Sequence, residues 1–179
     1  AINGTGDSII AKNEYNELGQ LIDKKLHSTN TNATDNKQSV DYRYNIRGWL
    51  TSINNAARTN DSGVTNDDAT DYFGMSLQYN AVDTDLANAQ LYNGNISGMK
   101  WSNYGDGTVK QKGYTYTYDA MNRILGSAYR EKTTSWIANN RYNEAGFTYD
   151  LNGNIKSLTR TGKSGVNLGV QSGKVYLSN

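Results

Sequence analysis

Few side chains in this 179-residue sequence are of types and spacings that could do chemistry. The run 150–154 (DLNGN) begins like a calcium-binding loop, in which carboxylate and amide oxygens hold a hard cation. The sixth position of such a loop should be glycine and the twelfth glutamate, whereas here they are Ile155 and Thr161. Turn formation around Asp150 is therefore the favoured interpretation.

The other candidates for catalysis are equally isolated. The sequence has one histidine, His27, which any histidine-based triad would have to use, and it has no cysteine for a thiolate site. His27 follows a strand-like run and precedes a polar loop, which predicts a surface position. The stretch 105–107 (GDG) lacks the helix and third glycine of a phosphate loop, and the pair 67–68 (DD) lacks an apolar pocket. We therefore expect no catalytic residue, no metal site and no cofactor.

The composition favours a polar β protein. There are 18 glycines and 14 tyrosines against two phenylalanines, which is typical of many turns joining strands with half-buried aromatic faces. Proline is absent, so glycine, asparagine and aspartate must form the chain reversals. Hydrophobic residues make up 36% of the chain and the mean hydropathy is −0.77, which predicts a thin core.

Charge and hydropathy exclude several classes of protein. The 18 basic and 17 acidic residues are mixed along the chain and give a net charge of +1, so no nucleic-acid partner is expected. No apolar run approaches the roughly 20 residues of a membrane-spanning helix, and residues 1–7 lack the features of a signal peptide. Because the sequence begins at Ala1 and not at methionine, we expect a processed chain or a fragment of a longer one.

A seven-residue frame recurs four times along the chain. It consists of a tyrosine, Asn or Asp, two unconstrained residues, Gly or Asn, a further residue and an aliphatic residue. The copies are 15–21 (YNELGQL), 44–50 (YNIRGWL), 118–124 (YDAMNRI) and 149–155 (YDLNGNI). A shortened copy, 92–96 (YNGNI), lacks two residues, and a partial copy, 142–146 (YNEAG), breaks off at Phe147.

The frame predicts a hairpin tip at each copy. Asn or Asp followed three positions later by glycine is typical of a type I turn that ends in a left-handed residue, and asparagine tolerates that conformation. The shortened copy keeps the Asn-Gly pair of a two-residue hairpin. We therefore expect positive φ at Gly19, Gly48 and Gly153. The assigned turn residues are Tyr15, Asn16, Gly19, Tyr44, Asn45, Gly48, Tyr92, Asn93, Gly94, Tyr118, Asp119, Asn122, Tyr149, Asp150 and Gly153.

The sequence around the turns predicts strands. Segments 40–44 and 114–118 alternate valine or tyrosine with polar residues, which indicates one aromatic face and one solvent-facing side. Beyond the turns, Leu50 and Ile53 lie three positions apart instead of two, as do Ile155 and Leu158. A β-bulge just after each turn would reconcile this spacing with a strand.

The remaining segments complete a single predicted domain over 1–179, with repeats spanning about 9–160. Polar stretches 28–39 and 54–71 are predicted to be exposed loops. Segment 83–91 (DTDLANAQL) could form a short helix capped by Thr84 or Asp85. Residues 161–179 are predicted to be either a last strand or a flexible tail.

These residues resemble the YD repeats of Rhs proteins, in particular the Bacteroidetes-type Rhs sequences. The resemblance rests on the repeated frame together with the blocks 42–50 (YRYNIRGWL), 71–75 (DYFGM) and 92–101 (YNGNISGMKW), and it covers roughly 15–158. It implies an all-β fold in which successive antiparallel hairpins form a curled or spiral sheet, part of a β shell.

The resemblance implies a non-catalytic scaffold from a secreted or cell-surface bacterial protein. Shells of this family enclose a C-terminal effector in toxin complexes and polymorphic toxins, and teneurin-like relatives form a cell-surface module. The implied partners are neighbouring repeats of the same parent chain or a larger assembly, an encapsulated effector and secretion machinery. Since no polar capping unit precedes the first hairpin, an exposed edge strand is expected to pair with such an assembly.

The alternative is an adhesion or binding module that recognises glycan or protein through exposed tyrosine and tryptophan side chains. Aromatic rings stack on flat ligand faces, but they pack against sheets more often. Exposure of Trp49, Trp101 and Trp136 separates the two hypotheses.

Overall fold

The computed structural model describes residues 9–28, 35–59, 71–107, 110–163 and 170–176, with side chains as far as residue 162. The regular structure in these ranges consists of strands and turns, and no helix among them is long and apolar enough to cross a membrane. The strands are β1 (Ile9–Tyr15), β2 (Leu21–Ser28), β3 (Tyr42–Tyr44), β4 (Leu50–Ile53), β5 (Phe73–Gln78), β6 (Gly98–Asn103), β7 (Gln111–Tyr118), β8 (Ile124–Lys132), β9 (Trp136–Ile137), β10 (Glu144–Tyr149), β11 (Ile155–Lys163) and β12 (Val170–Tyr176).

The chain divides into two compact units, Ala1–Ser76 with Trp101–Asp106, and Leu77–Lys100 with Gly107–Asn179. In the first unit, β1 and β2 form a two-stranded sheet, and β3, β4 and β5 pair in that order. In the second unit the order runs from residues 98–100 of β6 through β7-β8-β10-β11-β12, and β9 pairs with β8. The hairpins are antiparallel, so the all-β class with antiparallel hairpins is confirmed. The stretch after residue 160 supplies the end of β11 and the strand β12, while 164–169 and 177–179 lie outside the described residues.

Four hairpins carry the four full copies of the frame at their tips: β1-β2, β3-β4, β7-β8 and β10-β11. Each has a bulge just after the turn. In the first hairpin Tyr15 pairs with Leu21 and Glu14 with Asp23, which leaves Ile22 as the extra residue. The corresponding extra residues in the other hairpins are Thr51, Leu125 and Lys156. The bulge predicted from the aliphatic spacing is therefore confirmed.

The shortened copy does not form the predicted hairpin. Residues 91–97 contain no strand, and Asn93 and Gly94 lie in the connection between β5 and β6. Gly94 has a φ of 95°, but Asn93 is not among the positive-φ residues, so the two left-handed residues of a type I′ turn are not both present. The physical reason is that pairing with the end of β5 competes with pairing within the hairpin. The N–H of Ser97 donates to the carbonyl of Gln78, the last residue of β5. On the other flank, the N–H of Leu91 donates to the carbonyl of Tyr79, the residue after β5, so both flanks bond at the end of that strand.

Segment 83–91 forms a single capped turn, so the helix prediction is wrong. The cap is Asp83, not Thr84 or Asp85, because its Oδ1 accepts the N–H of Asp85 at 3.0 Å and that of Leu86 at 3.3 Å. One helix-type bond forms, from the N–H of Ala87 to the carbonyl of Asp83 at 2.7 Å. Ala87 then adopts a φ of 54°, which ends the turn.

Leu86 in this turn is fully buried and packs on glycines of two strands. A Cβ atom on Gly98 of β6 would lie 2.9 Å from Leu86 Cδ1, and one on Gly113 of β7 would lie 2.6 Å from Leu86 Cδ2. Any larger residue at these positions would displace Leu86. Among the described residues the buried hydrophobic side chains are Tyr79, Leu86 and Tyr129, in keeping with the thin core predicted.

The ends of the two polar stretches are buried, so the prediction of exposed loops is wrong there. The buried residues are Ser28, Ser39, Asn54 and Asp71. Asn54 shows why, because its Oδ1 accepts the N–H of Asp41 at 2.7 Å and its Nδ2 donates to the carbonyl of Phe73 at 2.8 Å. A buried amide that bonds on both sides escapes most of the desolvation cost. Asp41, predicted on the solvent side, is buried by the same packing. Residues 29–34 and 60–70, including the pair 67–68, lie outside the described ranges.

Candidate functional site

The repeated turns are the candidate functional site, and the four full copies share one hydrogen-bond pattern. In the first, Asn16 Oδ1 accepts the N–H of Leu18 at 3.0 Å and that of Gln20 at 2.9 Å, while the N–H of Gly19 donates to the carbonyl of Asn16. The same two side-chain bonds, at 2.8 to 3.0 Å, are made by Asn45, Asp119 and Asp150. One side chain thus satisfies two backbone donors at each tip.

The left-handed residue predicted at the fifth position is present in all four copies. The φ angles are 75° at Gly19, 76° at Gly48, 85° at Gly153 and 62° at Asn122. The prediction for the three glycines is confirmed. A type I turn followed by a left-handed residue matches the twist of the two strands that it joins.

In the two copies with aspartate, the second carboxylate oxygen binds the side chain at the sixth position. Asp119 Oδ2 accepts from Arg123 Nε at 2.7 Å, and Asp150 Oδ2 accepts from Asn154 Nδ2 at 2.8 Å. The N–H of Arg123, followed by its guanidinium, lowers the pKa of Asp119, and the side chain and N–H of Asn154 lower the pKa of Asp150. These carboxylates are therefore occupied in organising the turn.

We expect acid to weaken these two turns. A carboxylate with a lowered folded-state pKa contributes stability that is present above its unfolded value, 3.8 for aspartate, and is lost as the pH falls through the folded value. The Asp119→Asn and Asp150→Asn double variant should keep the turns, since Asn16 and Asn45 form them with an amide. Urea midpoints recorded from neutral pH to about pH 2 should fall less steeply in the double variant than in the parent. Parallel curves would contradict a role for these carboxylates.

In the second unit, the tyrosine that opens each full copy bonds to the copy before it. Tyr118 Oη donates to the carbonyl of Ile96, the aliphatic residue that ends the shortened copy, at 2.8 Å. Tyr149 Oη donates to the carbonyl of Ile124, which ends the copy 118–124, the full copy before its own. In two successive cases, therefore, the first residue of one copy is bonded to the last residue of the copy before it. We call each of these contacts an inter-repeat hydrogen bond.

Neighbouring turns also touch through side chains at the fifth and sixth positions. The Arg123 guanidinium lies over the Tyr149 ring, 4.4 Å from its centroid, and Asn93 Nδ2 donates to Asn122 Oδ1 at 2.6 Å. In the first unit, a Cβ atom on Gly48 would lie 3.4 Å from Gln20 Nε2. Within each unit, successive turns therefore lie side by side.

Removing the hydroxyl groups of the inter-repeat hydrogen bonds should destabilise the second unit. We expect Tyr118→Phe and Tyr149→Phe each to cost about 1 kcal/mol, the net value of one such bond. Tyr15→Phe is the matched control, because the Tyr15 ring is 58% exposed and its hydroxyl accepts an exposed bond from Asn13 Nδ2 at 3.3 Å. Urea unfolding of the three variants measures the difference. Equal costs in all three would mean that the inter-repeat bonds add nothing.

Tyrosines on β7 and its neighbours form the predicted aromatic face. The rings of Tyr114 and Tyr116 stack at 6.0 Å, and the Tyr114 ring meets Tyr129 of β8 edge-on at 5.4 Å. Tyr129 in turn meets Tyr142 at 5.3 Å. Burial raises the pKa of Tyr116 to about 12, so its hydroxyl stays protonated at physiological pH. The rings of this face therefore pack against one another.

The two unconstrained positions of each turn expose one apolar side chain. The exposed fractions are 83% for Leu18, 104% for Ile46, 69% for Met121 and 104% for Leu151. Single exposed apolar residues are common on protein surfaces, but here one recurs in each of the four turns, at the third position for Ile46 and Leu151 and at the fourth for Leu18 and Met121.

The remaining sequence candidates take no part in this site. His27 is exposed, as predicted, and the 105–107 stretch is a turn in which Asp106 Oδ2 accepts the N–H of Asn103 at 2.9 Å. The three tryptophans are half-buried. Arg47 covers one face of Trp49 and Lys100 one face of Trp136, each at 5.1 Å. Within the described ranges, no group of three His, Cys, Asp or Glu side chains could hold a metal ion.

No protein-family model matches this chain, and no curated protein is significantly similar to it. What the turns do must therefore be inferred from their own geometry.

Proposed function

We propose that this chain is a non-catalytic repeat scaffold of the Rhs/YD-repeat kind, from a secreted or cell-surface bacterial protein, which encloses or presents a C-terminal effector. The observation that carries the proposal is the inter-repeat hydrogen bond of Tyr118 and Tyr149. A unit that bonds to its predecessor through constant positions can be added many times, and its sheet grows with copy number. The right-handed twist between strands then curls a long sheet of this kind into a spiral.

Two further observations support a scaffold. In each of the four turns, the Asn or Asp side chain accepts hydrogen bonds from two backbone N–H groups of the same turn. The apolar residues at the tips, such as Ile46 and Leu151, recur where a larger assembly would cover them.

Electron microscopy of the full-length parent protein tests the proposal. We expect a closed hollow shell with density inside it, and a C-terminal effector segment that resists limited proteolysis. Replacing both Tyr118 and Tyr149 with phenylalanine should make that segment susceptible to cleavage. An open array of repeats with an accessible C-terminal segment would overturn the proposal.

An adhesion or binding module is the second candidate, and one pair of aromatic residues favours it. Tyr72 and Tyr104 are 64% and 69% exposed, and their rings meet edge-on at 5.5 Å. Arg58 lies 5.8 Å from the Tyr104 ring centroid, so charge and aromatic surface occur together. Binding of the chain to a glycan panel, lost in Tyr72→Ala and Tyr104→Ala but kept in Tyr15→Ala, would establish this role. Absence of binding would leave the scaffold as the better account.

A further inference from the structure

On one face of the β1-β2 hairpin, like charges stand opposite each other. Lys12 pairs with Lys25, and Glu14 pairs with Asp23. Opposite charges meet elsewhere on this face. Glu14 Oε1 lies 3.0 Å from Lys12 Nζ along β1 and 3.1 Å from Lys25 Nζ on the diagonal to β2. Like charges directly across an antiparallel pair are unfavourable. The hairpin therefore pairs its opposite charges only along a strand or on the diagonal, as it does for Lys25 and Asp23 at 3.0 Å, and places like charges directly across.

The outer edge of β1 presents backbone donors and acceptors. The N–H and carbonyl of Lys24 on β2 bond to Val40, away from β1. In an antiparallel pair, the N–H and carbonyl groups of two opposite residues point either toward each other or away from each other. Asn13 is opposite Lys24, so its N–H and carbonyl point away from β2. The same holds for Ala11, opposite Leu26, whose N–H also bonds on the far side. Among the described residues β1 pairs with β2 alone, which makes it an edge strand.

We propose that a second copy of this chain pairs antiparallel with the outer edge of β1, about a two-fold axis at Asn13. In this register the two Asn13 residues exchange two N–H···O bonds. Ala11 of each copy faces Tyr15 of the other, and Lys12 of each copy faces Glu14 of the other. This interface does not depend on the scaffold role and would add to it.

Charge complementarity selects this register and this occupant. Two-fold registers centred on Lys12 or on Glu14 place like charges opposite each other, and one centred on Ala11 places Lys12 opposite Ile10. In the register centred on Asn13, each row across the four strands runs Asp23, Glu14, Lys12, Lys25, so that two acids meet two bases. The second copy thus supplies opposite charges directly across a strand pair, which the hairpin itself does not.

Charge reversal tests the pairing in the full chain. We expect sedimentation equilibrium to show a dimer, and Lys12→Glu or Glu14→Lys alone to weaken it about ten-fold, because two attractive pairs become repulsive. An equimolar mixture of the two variants should recover a heterodimer, since Glu at 12 then faces Lys at 14 and Lys at 12 faces Glu at 14. The mixture also controls for folding, because mixing cannot repair a misfolded hairpin. No recovery on mixing, in variants with parental circular dichroism, would overturn the proposal.

A backbone variant provides an independent arm. Asn13→Pro removes an N–H that points away from β2, so it should abolish the dimer and keep the hairpin, whereas Asn13→Thr keeps the N–H and the dimer. If the unmutated chain is monomeric at all concentrations, the proposal is wrong. It is also wrong if the dimer is unaffected by Asn13→Pro. Exchange protection of the Ala11 and Asn13 amides in a monomer would also overturn it, because another part of the chain would then cover the edge. None of these outcomes would bear on the closed shell that the proposed function expects in electron microscopy of the full-length protein.

Discussion

Replacement of Gly74 by alanine should be the most damaging small substitution in the first unit. Gly74 is buried in β5, and a Cβ atom there would lie 1.8 Å from the carbonyl oxygen of Asn55 and 2.7 Å from its carbon. Both are backbone atoms, so no side-chain rotation relieves the overlap and the chain itself must move. We expect a loss of about 3 kcal/mol or more in the free energy of unfolding, at the upper end for overpacking.

The cost should be large because Asn55 follows the residue that ties three segments together. A shift of Asn55 would disturb the bonds from the buried Asn54 to Asp41 and Phe73. Gly162→Ala in β11 is the matched control, since no atom in the described part of the chain lies within 4 Å of its Cβ position and its φ is not left-handed. We expect that control to change stability by less than about 0.5 kcal/mol. Urea unfolding compares the two variants, and similar losses would show that steric overlap is not the cause at Gly74.

The turns could be predicted from the sequence because their chemistry is local. Asn16, Gly19 and Gln20 complete one turn among themselves, and no distant residue is needed to close it. The bulge was also visible after two of the turns, in the three-residue spacing of Leu50 and Ile53 and of Ile155 and Leu158. Local hydrogen bonding and side-chain spacing therefore predicted the four full hairpins and the bulge that follows the turn.

Segments whose partners are distant could not be predicted in the same way. The Asp83 turn has the composition of a short helix, but it ends after one turn as Leu86 packs on Gly98 and Gly113. The shortened copy has the residues of a hairpin, but its flanks bond to the end of β5. In both places tertiary packing overrides local preference.

The inter-repeat hydrogen bonds escaped prediction for a different reason. Their acceptors are backbone carbonyls of Ile96 and Ile124, and every residue carries such a group. The frame contained a usable signal nevertheless, because a tyrosine instead of phenylalanine opens every copy. A tyrosine at the same position of each copy favours a role for its hydroxyl, and the hydroxyls of Tyr118 and Tyr149 donate to backbone carbonyls. Buried Asn54 and Asp71 lacked even that signal, since their types are those of exposed loops.

Loss of Arg141 should be as damaging to the second unit as alanine at Gly74 is to the first. Arg141 Nη2 bonds to Glu131 Oε1 of β8, and only 9% of the Glu131 side chain is exposed. Arg141→Met would leave a buried carboxylate without its counter-charge, which costs about 3 kcal/mol or more. Arg160→Met is the matched control, because the Arg160–Glu144 pair joins the same residue types with Arg160 60% exposed. That variant should lose less than about 1 kcal/mol.

A double variant separates the charge from the shape of Arg141. In Glu131→Gln with Arg141→Met, the amide still accepts from Asn139 Nδ2, which lies 2.8 Å from Glu131 Oε1, but no charge is buried. Most of the lost stability should therefore return, and urea unfolding of the single and double variants would show it. If Arg141→Met costs no more than Arg160→Met, the Glu131 charge is solvated and the prediction is wrong. The pair matters for the repeat because Arg141 lies in the connection between β9 and β10. By bonding to β8 it holds that connection where β10 begins, and β10 carries Tyr149 to Ile124.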